Sequence, residues 1–296
     1  MSGQIAPAPP HTISTQPGLT EQYVKLPNGE CIPMSVYQEQ YGQTILSQPV
    51  AQPGLMYVPP APSMVGVPPG LEYLTLIDTV FVKQIIELIE VITDFETRNK
   101  YSLRNANGDQ VYYAAEESGC CSRQCCGPNR GFTMHITDNF KREVIRVRRP
   151  FKCFGGCCGT LACFRSMAHE CTIESPPGNV IGTVIQTWGC CSTKFIIRDE
   201  NDRDLFKIDG PCCCLLLGCQ DKEFPVLTMD GLAIGSITKK WGGCCREAFT
   251  DADVFSVNFP LDLDVKLKAV LLGATFLVDF VEFEKVMNQT HVQQTS

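Results

Sequence analysis

One local pattern recurs along the chain: two short runs of alternating apolar residues joined by a polar turn. YSLRNANGDQVYY (101–113) carries Asn107-Gly108 between its two runs. That is the strongest short hairpin signal, because both residues tolerate the left-handed backbone of a tight turn. FTMHITDNFKREVIRV (132–147), CTIESPPGNVIGTVIQTW (171–188), FIIRDENDRDLFKI (195–208) and FPVLTMDGLAIGSITKKW (224–241) repeat the form. FSVNFPLDLDVKLK (255–268) closes the series, with Leu261, Leu263, Val265 and Leu267 reading as an inward face and Asp262, Asp264, Lys266 and Lys268 as an outward one. Six hairpins make about twelve strands, and a sheet of that size exposes unpaired edges unless it closes on itself. The expected fold class is all-β, a closed twelve-stranded barrel.

Twelve strands enclose a lumen too wide for their own side chains to fill. A filler is present in KLKAVLLGATFLVDFVEFEKV (266–286), where Ala269 to Val278 is an unbroken run of ten apolar residues before Asp279. As a helix, 269–283 would be about 22 Å long, short of the roughly 30 Å of bilayer hydrocarbon. Its polar positions fall on one seam, Lys268, Thr275, Asp279 and Glu282, and a helix apolar on its other faces is normally buried. The expectation is a central helix inside the barrel, with membrane insertion as the competing reading.

Composition sets off the region ahead of the barrel. Residues 1–69 hold 13 of the 20 prolines, one cysteine and four charged residues, which reads as a Pro-rich disordered tail before a domain at 70–286 and a short tail at 287–296. P7-A-P-P10 and P59-P-A-P62 have the PxxP spacing that SH3 and WW domains read from a polyproline helix; a plain spacer is the alternative. The net charge of −7 argues against nucleic acid as the main partner. The N-terminus shows no basic n-region or apolar h-region, so the 18 cysteines are expected to be mostly free thiols in a reducing compartment. They then require acylation, metal binding or packing as an explanation.

GLEYLTLID (70–78), RNKYSLRNANGDQVYYAAEE (98–117), CCGPNRGF (125–132), PPGNVIGTVIQTW (176–188) and REAFTDADVFSVNFPLDLDVKLKAVLLGATFLVDF (246–280) closely resemble the phospholipid scramblase family. The resemblance runs from about Gly70 to Lys285. It implies a tubby-like barrel around a hydrophobic C-terminal helix, and calcium-dependent, ATP-independent, bidirectional movement of phospholipids between leaflets. It also implies a lipid-anchored protein on membranes, expected at the cytosolic face of the plasma membrane, with nucleus and mitochondria as alternatives.

The resemblance places sites as well. The family's calcium motif falls on DADVFSVNFPLD, implying Asp251, Asp253, Phe255, Phe259 and Asp262. Calcium takes six to eight oxygens, and an EF-hand loop supplies acids at positions 1, 3, 5 and 12 around a glycine at 6. Here positions 5, 6 and 12 are Phe255, Ser256 and Asp262, so weak affinity is expected, and a turn of solvated acids is the alternative. The acylated cluster falls on CFGGCCGTLAC, implying palmitoylation at Cys153, Cys157, Cys158 and Cys163. KREVIRVRRPFK places Lys141, Arg142, Arg146, Arg148, Arg149 and Lys152 directly before it. One acyl chain binds marginally, whereas a chain plus a polybasic patch holds an anionic leaflet stably. The family's nuclear-import segment falls on GSITKKWGG (235–243), where only Lys239 and Lys240 are basic ahead of Trp241; a strand ending on the tryptophan is the alternative.

Cys120, Cys121, Cys125 and Cys126 have nearly zinc-ligand spacing, which makes Zn2+ a second cofactor candidate behind Ca2+. Strand doublets with one thiol inward and one outward explain most of the cysteines by packing. No GxGxxG–helix unit, P-loop, HExxH or nucleophile elbow occurs, so conventional enzymatic catalysis is not expected. Two functions stay open: lipid scrambling, or an acyl-anchored adaptor, signalling or nuclear regulatory protein without intrinsic transport. A short helix offers headgroups no polar path, so homo-oligomerisation or bilayer thinning is among the routes the first function requires.

Overall fold

The computed structural model describes residues 23–25, 31–33, 64, 66–85, 98–126, 129–152, 167–189, 191–212, 220–241 and 253–283. Residues 1–50 and 51–296 are separate units. In the first, β1 (Tyr23–Lys25) pairs antiparallel with β2 (Cys31–Pro33); both PxxP segments lie outside the described residues.

The second unit is a barrel of β3 (Thr79–Gln84), β4 (Lys100–Arg104), β5 (Gln110–Glu117), β6 (Phe132–Asp138), β7 (Glu143–Arg149) and β8 (Glu170–Glu174). It continues through β9 (Val180–Thr187), β10 (Ser192–Asp199), β11 (Asp204–Cys212), β12 (Lys222–Thr228), β13 (Ala233–Lys239) and β14 (Val254–Asn258). Every strand runs antiparallel to its sequence neighbour, and β14 pairs with β3 to close the ring. The alternation in sequence is the wall itself. On β6, Phe132, Met134 and Ile136 point inward and are buried. Outside, His135 sits between Glu143 (2.7 Å) and Glu117 (2.8 Å), and Arg146 pairs with Glu143.

Local chemistry sets the tight turns. At Asn105, Asp138, Asp199 and Thr228 the backbone N–H donates to the carbonyl four residues on, and the N–H three residues on donates back. That third residue, Gly108, Lys141, Asp202 or Gly231, has φ of 88°, 63°, 61° and 93° respectively. This is a type I turn closed by a left-handed bulge residue. Asn105, Asp138 and Asp199 also accept, through a side-chain oxygen, from the N–H groups two and four residues on. Those extra bonds support Lys141 and Asp202 in a conformation that favours glycine.

α1 (Cys120–Cys126) is a short helix between β5 and β6. α2 (Val265–Val278), extended by one widened turn at Asp279–Phe283, fills the lumen, and every residue from Lys268 to Phe283 is buried. Helix and wall approach closely at two glycines. A Cβ on Gly273 would come 2.5 Å from Ile173, and one on Gly182 would come 2.7 Å from Val270.

Two expectations are corrected. Residues 261–267 are not a strand: Pro260, which has no N–H for the ladder, follows β14. Asp264 then caps α2 by accepting from the N–H groups of Lys266 (2.8 Å) and Leu267 (3.4 Å). The helix therefore starts at 265 rather than 269, and the twelfth strand is β3. The doublets Cys120-Cys121 and Cys125-Cys126 lie on a helix, not on a strand.

The connections sort by barrel end. The five tight turns, 105–109, 138–142, 175–179, 199–203 and 228–232, lie at one end, the turn rim. The connections 85–99, 118–131, 150–169, 188–191, 213–221 and 240–253 join strand ends at the other. All cysteines except Cys31 fall in these connections or within two residues of them, so this end is termed the cysteine rim.

Candidate functional site

Each end of α2 carries a polar cluster. At the turn rim, Lys268 is fully buried, and its ammonium donates to the carbonyls of Leu74 (2.9 Å), Ile77 (2.9 Å) and Leu261 (2.8 Å). All three ammonium donors are thereby used. Burial pulls its pKa down, against the opposing fields of Asp78 and Asp262. The lysine ties the helix to the segment that enters β3 and to the one that leaves β14. Lys268→Met keeps the stem but strands the Leu74 carbonyl, so urea denaturation should show a loss of about 2–3 kcal/mol. A variant as stable as the wild type would disprove the lock.

At the cysteine rim, Asp279 begins the widened turn and accepts from the Tyr101 hydroxyl at 2.7 Å. Burial, together with the neighbouring Asp253 carboxylate, raises its pKa to about 7 against the pull of Lys239 and Tyr101. Lys239 itself pairs with Asp253 at 2.7 Å and stands 4.0 Å over the Phe283 ring. Glu282 is buried on the same turn. Phe283 meets Phe224 and Phe255 edge-on, and Phe280 stacks on Phe132 at 4.1 Å. Arg130 lies over Phe280 at 4.7 Å while gripping Glu116 through two bonds of 2.7 and 3.0 Å. Burial pushes the Glu116 carboxyl up, but the hydrogen bonds and charge of Arg130 outweigh it and hold the group below its usual value.

The residues of the calcium motif spread along β14. Asp253 sits at the cysteine rim; Phe255 is buried against Phe283; Phe259 is buried 5.1 Å from the Lys268 ammonium; Asp262 is exposed at the turn rim. Asp251 lies outside the described residues. The five residues of β14 span about 17 Å, whereas calcium holds its oxygens at 2.3–2.6 Å. Asp253 and Asp262 are therefore not brought together. Among the described residues no three or more His, Cys, Asp or Glu side chains are grouped to hold a metal. What the fold does join to Asp253 is Asp279, a pairing no motif announces because the two stand 26 positions apart with the whole helix between them.

Cys153, Cys157, Cys158 and Cys163 lie outside the described residues. The basic run ahead of them divides along β7. Lys141 and Arg142 belong to the turn rim, while Arg148, Arg149 and Lys152 belong to the cysteine rim. Of the import segment, Lys239 holds Asp253, Lys240 pairs with Asp221 at 2.9 Å, and the Trp241 N–H donates to the same carboxylate. Among the zinc candidates, Cys125 and Cys126 are thiols on α1. Cys171 is a core thiol, pushed up to about 12 by burial.

These features define a class of protein, a closed twelve-stranded antiparallel barrel plugged by its own C-terminal helix, the tubby-like architecture. The profile described as Scramblase matches residues 58–285, the whole barrel with its plug, and the chain belongs to the scramblase family. It is 48% identical over 237 residues to phospholipid scramblase 1 of Homo sapiens, covering 80% of this chain and 72% of that protein. It is 46% identical to phospholipid scramblase 2 of Bos taurus (82% and 80% covered) and 37% identical to human phospholipid scramblase 4 (96% and 88%). A solved protein from Arabidopsis thaliana matches with a TM-score of 0.36 at 10% identity, over 68% of this chain and 92% of its own. The fold assignment rests on the strand order of this chain itself.

Proposed function

We propose that this protein moves phospholipids between membrane leaflets in both directions, promoted by calcium and without ATP, while attached to the membrane by acyl chains. The family match over the barrel and its plug carries the reading, together with relatives that are named phospholipid scramblases. Acylation of Cys153, Cys157, Cys158 and Cys163 beside Arg148 and Lys152 would supply a two-signal anchor. Calcium would engage the acidic start of β14 around Asp251 and Asp253.

The structure limits how such movement can work. α2 is the barrel's core, and no helix among the described residues is long and apolar enough to cross a membrane. A membrane-spanning barrel carries an apolar outer band, whereas the outer wall here carries His135, Arg146 and Arg198 in ion pairs. Lipid would then pass beside the barrel, through an assembly or through bilayer that the protein thins. Purified full-length protein, reconstituted with labelled phosphatidylserine and phosphatidylcholine, should move both lipids. Calcium at about 10⁻⁴–10⁻³ M should raise the rate, and ATP should not. No movement above that of empty vesicles overturns the reading. The filled lumen favours the second reading, an acyl-anchored adaptor that recruits SH3 or WW proteins through its Pro-rich head. That adaptor would bring such partners to vesicles while moving no lipid.

A further inference from the structure

The chain has two tryptophans, Trp188 and Trp241, and the fold brings both to the cysteine rim. Trp188 follows the last residue of β9, and Trp241 stands two residues beyond β13. They are 59% and 39% exposed, and Phe151, two residues past β7, is 52% exposed. Ile85, next after β3, is also exposed. The turn rim leaves apolar side chains in water as well, but there they are aliphatic: Leu76, Met229, Leu232 and Leu261.

Charge separates the two ends further. At the turn rim the exposed acids Glu200, Asp202, Asp230, Asp262 and Asp264 outnumber the exposed bases Lys141, Arg142 and Arg203. At the cysteine rim exposed Lys83, Arg98, Arg148 and Lys240, with Lys152 beside them, outnumber the exposed acids Glu117, Asp221 and Glu223. Among its described residues, a protein of net charge −7 thus turns its less acidic end and its large aromatic side chains in one direction.

We propose that the cysteine rim is a docking surface for an anionic lipid interface, with Phe151, Trp188 and Trp241 seated at headgroup depth and the barrel axis steep to the bilayer. Indole rings favour that layer because one part is apolar and the N–H needs a polar partner. Lysine and arginine around them meet the surface charge, while the acids of the far rim are held away from it. The segment holding Cys153, Cys157, Cys158 and Cys163 joins strands at this same rim, so acyl chains there would pull the barrel into the same pose. The inference rests on membrane attachment, but not on lipid movement.

The two tryptophans make the surface its own reporter. The full chain, produced in bacteria without palmitoylation and kept in EDTA, is mixed with phosphatidylcholine vesicles with and without phosphatidylserine. With phosphatidylserine present, tryptophan emission should shift to the blue and be quenched by lipids brominated high on their acyl chains. Changing Phe151, Trp188 and Trp241 to serine should lower co-sedimentation by about fivefold or more while leaving the melting temperature near that of the wild type. Absence of binding overturns the inference. So does bound protein with unquenched emission, or a blue shift that tracks protein concentration without vesicles, which would mean that a second copy covers the rim. Quenching in a protein that moves no lipid keeps the docking surface and removes the transport reading. Lipid movement with unquenched tryptophans does the reverse.

Discussion

A chain ending at Lys268 should not fold into a soluble barrel. Truncation removes Ala269 to Phe283, all buried in the lumen. Large apolar side chains there, among them Leu271, Leu272, Phe276, Leu277, Phe280 and Phe283, each contribute about 1.5–3 kcal/mol by burial. Six such residues already amount to about 9–18 kcal/mol, against a total stability of about 5–15 kcal/mol for an ordinary domain. The inward wall, including Val82, Leu103, Met134, Ile173, Phe195 and Val226, would be left facing water. The truncated chain should aggregate on expression or show no cooperative melt. A monomer with a sharp transition and the full strand signal would mean that the helix is an accessory, free to leave the barrel. Point changes give a graded version. Phe276→Ala, which removes the ring set edge-on against Tyr101 at 5.1 Å, should cost about 3–5 kcal/mol by leaving a cavity.

The same energetics explain why some of the architecture is legible in sequence and some is not. Hairpins are local: Asn105, Asp138 and Asp199 organise their own turns through side-chain oxygens, so five of the six sequence hairpins coincide with strand pairs. The ring-closing pair of β14 with β3 joins residues such as Phe255 and Val82, and no turn lies between them to announce it. The stretch 261–267 misleads because four alternations fit a strand as well as the entry to a helix. Pro260 and the cap at Asp264 decide, and their effect emerges only once Lys268 finds its three carbonyls. The core helix was legible from its length and its nearly uniform apolar surface. The seam Lys268, Thr275, Asp279 and Glu282 was legible as a seam, though not in what each member meets. Thr275 simply bonds back to the Leu271 carbonyl at 3.0 Å, whereas Asp279 meets partners on three different strands or strand ends.

At the cysteine rim the plug ends on an acid pair, Asp279 buried and Asp253 partly exposed. Asp279 and Asp253 share one environment, with Tyr101, Lys239 and Gln84 among the polar neighbours of the pair. Placing a second carboxylate beside one held away from water favours keeping a proton on the buried one. The Asp279 carboxyl, raised to about 7 from 3.8, keeps in the folded chain a proton that the unfolded chain releases near pH 4. Its contribution to stability is therefore complete below about pH 4 and is lost as the pH rises through about 7. The full span is worth about 4 kcal/mol at 1.36 kcal/mol per pH unit, and sharing with Asp253 makes about 2–4 kcal/mol the expected loss. The barrel should then melt at progressively lower temperature from pH 5 to pH 8. Carboxyls held below their usual values, such as Glu116, titrate under this window and leave it clear. Asp279→Asn keeps an oxygen for the Tyr101 hydroxyl and a donor toward Asp253, and it cannot lose a proton. His135 and His169 remain in both proteins, so subtracting the variant's pH profile from that of the wild type isolates the acid pair. The variant should match the wild type near pH 5 and exceed it by about 1–3 kcal/mol at pH 8, the share of the span that remains above pH 5. Parallel profiles across that range would show that Asp279 is ionised in the folded barrel, its charge met by Lys239 rather than by a proton shared with Asp253.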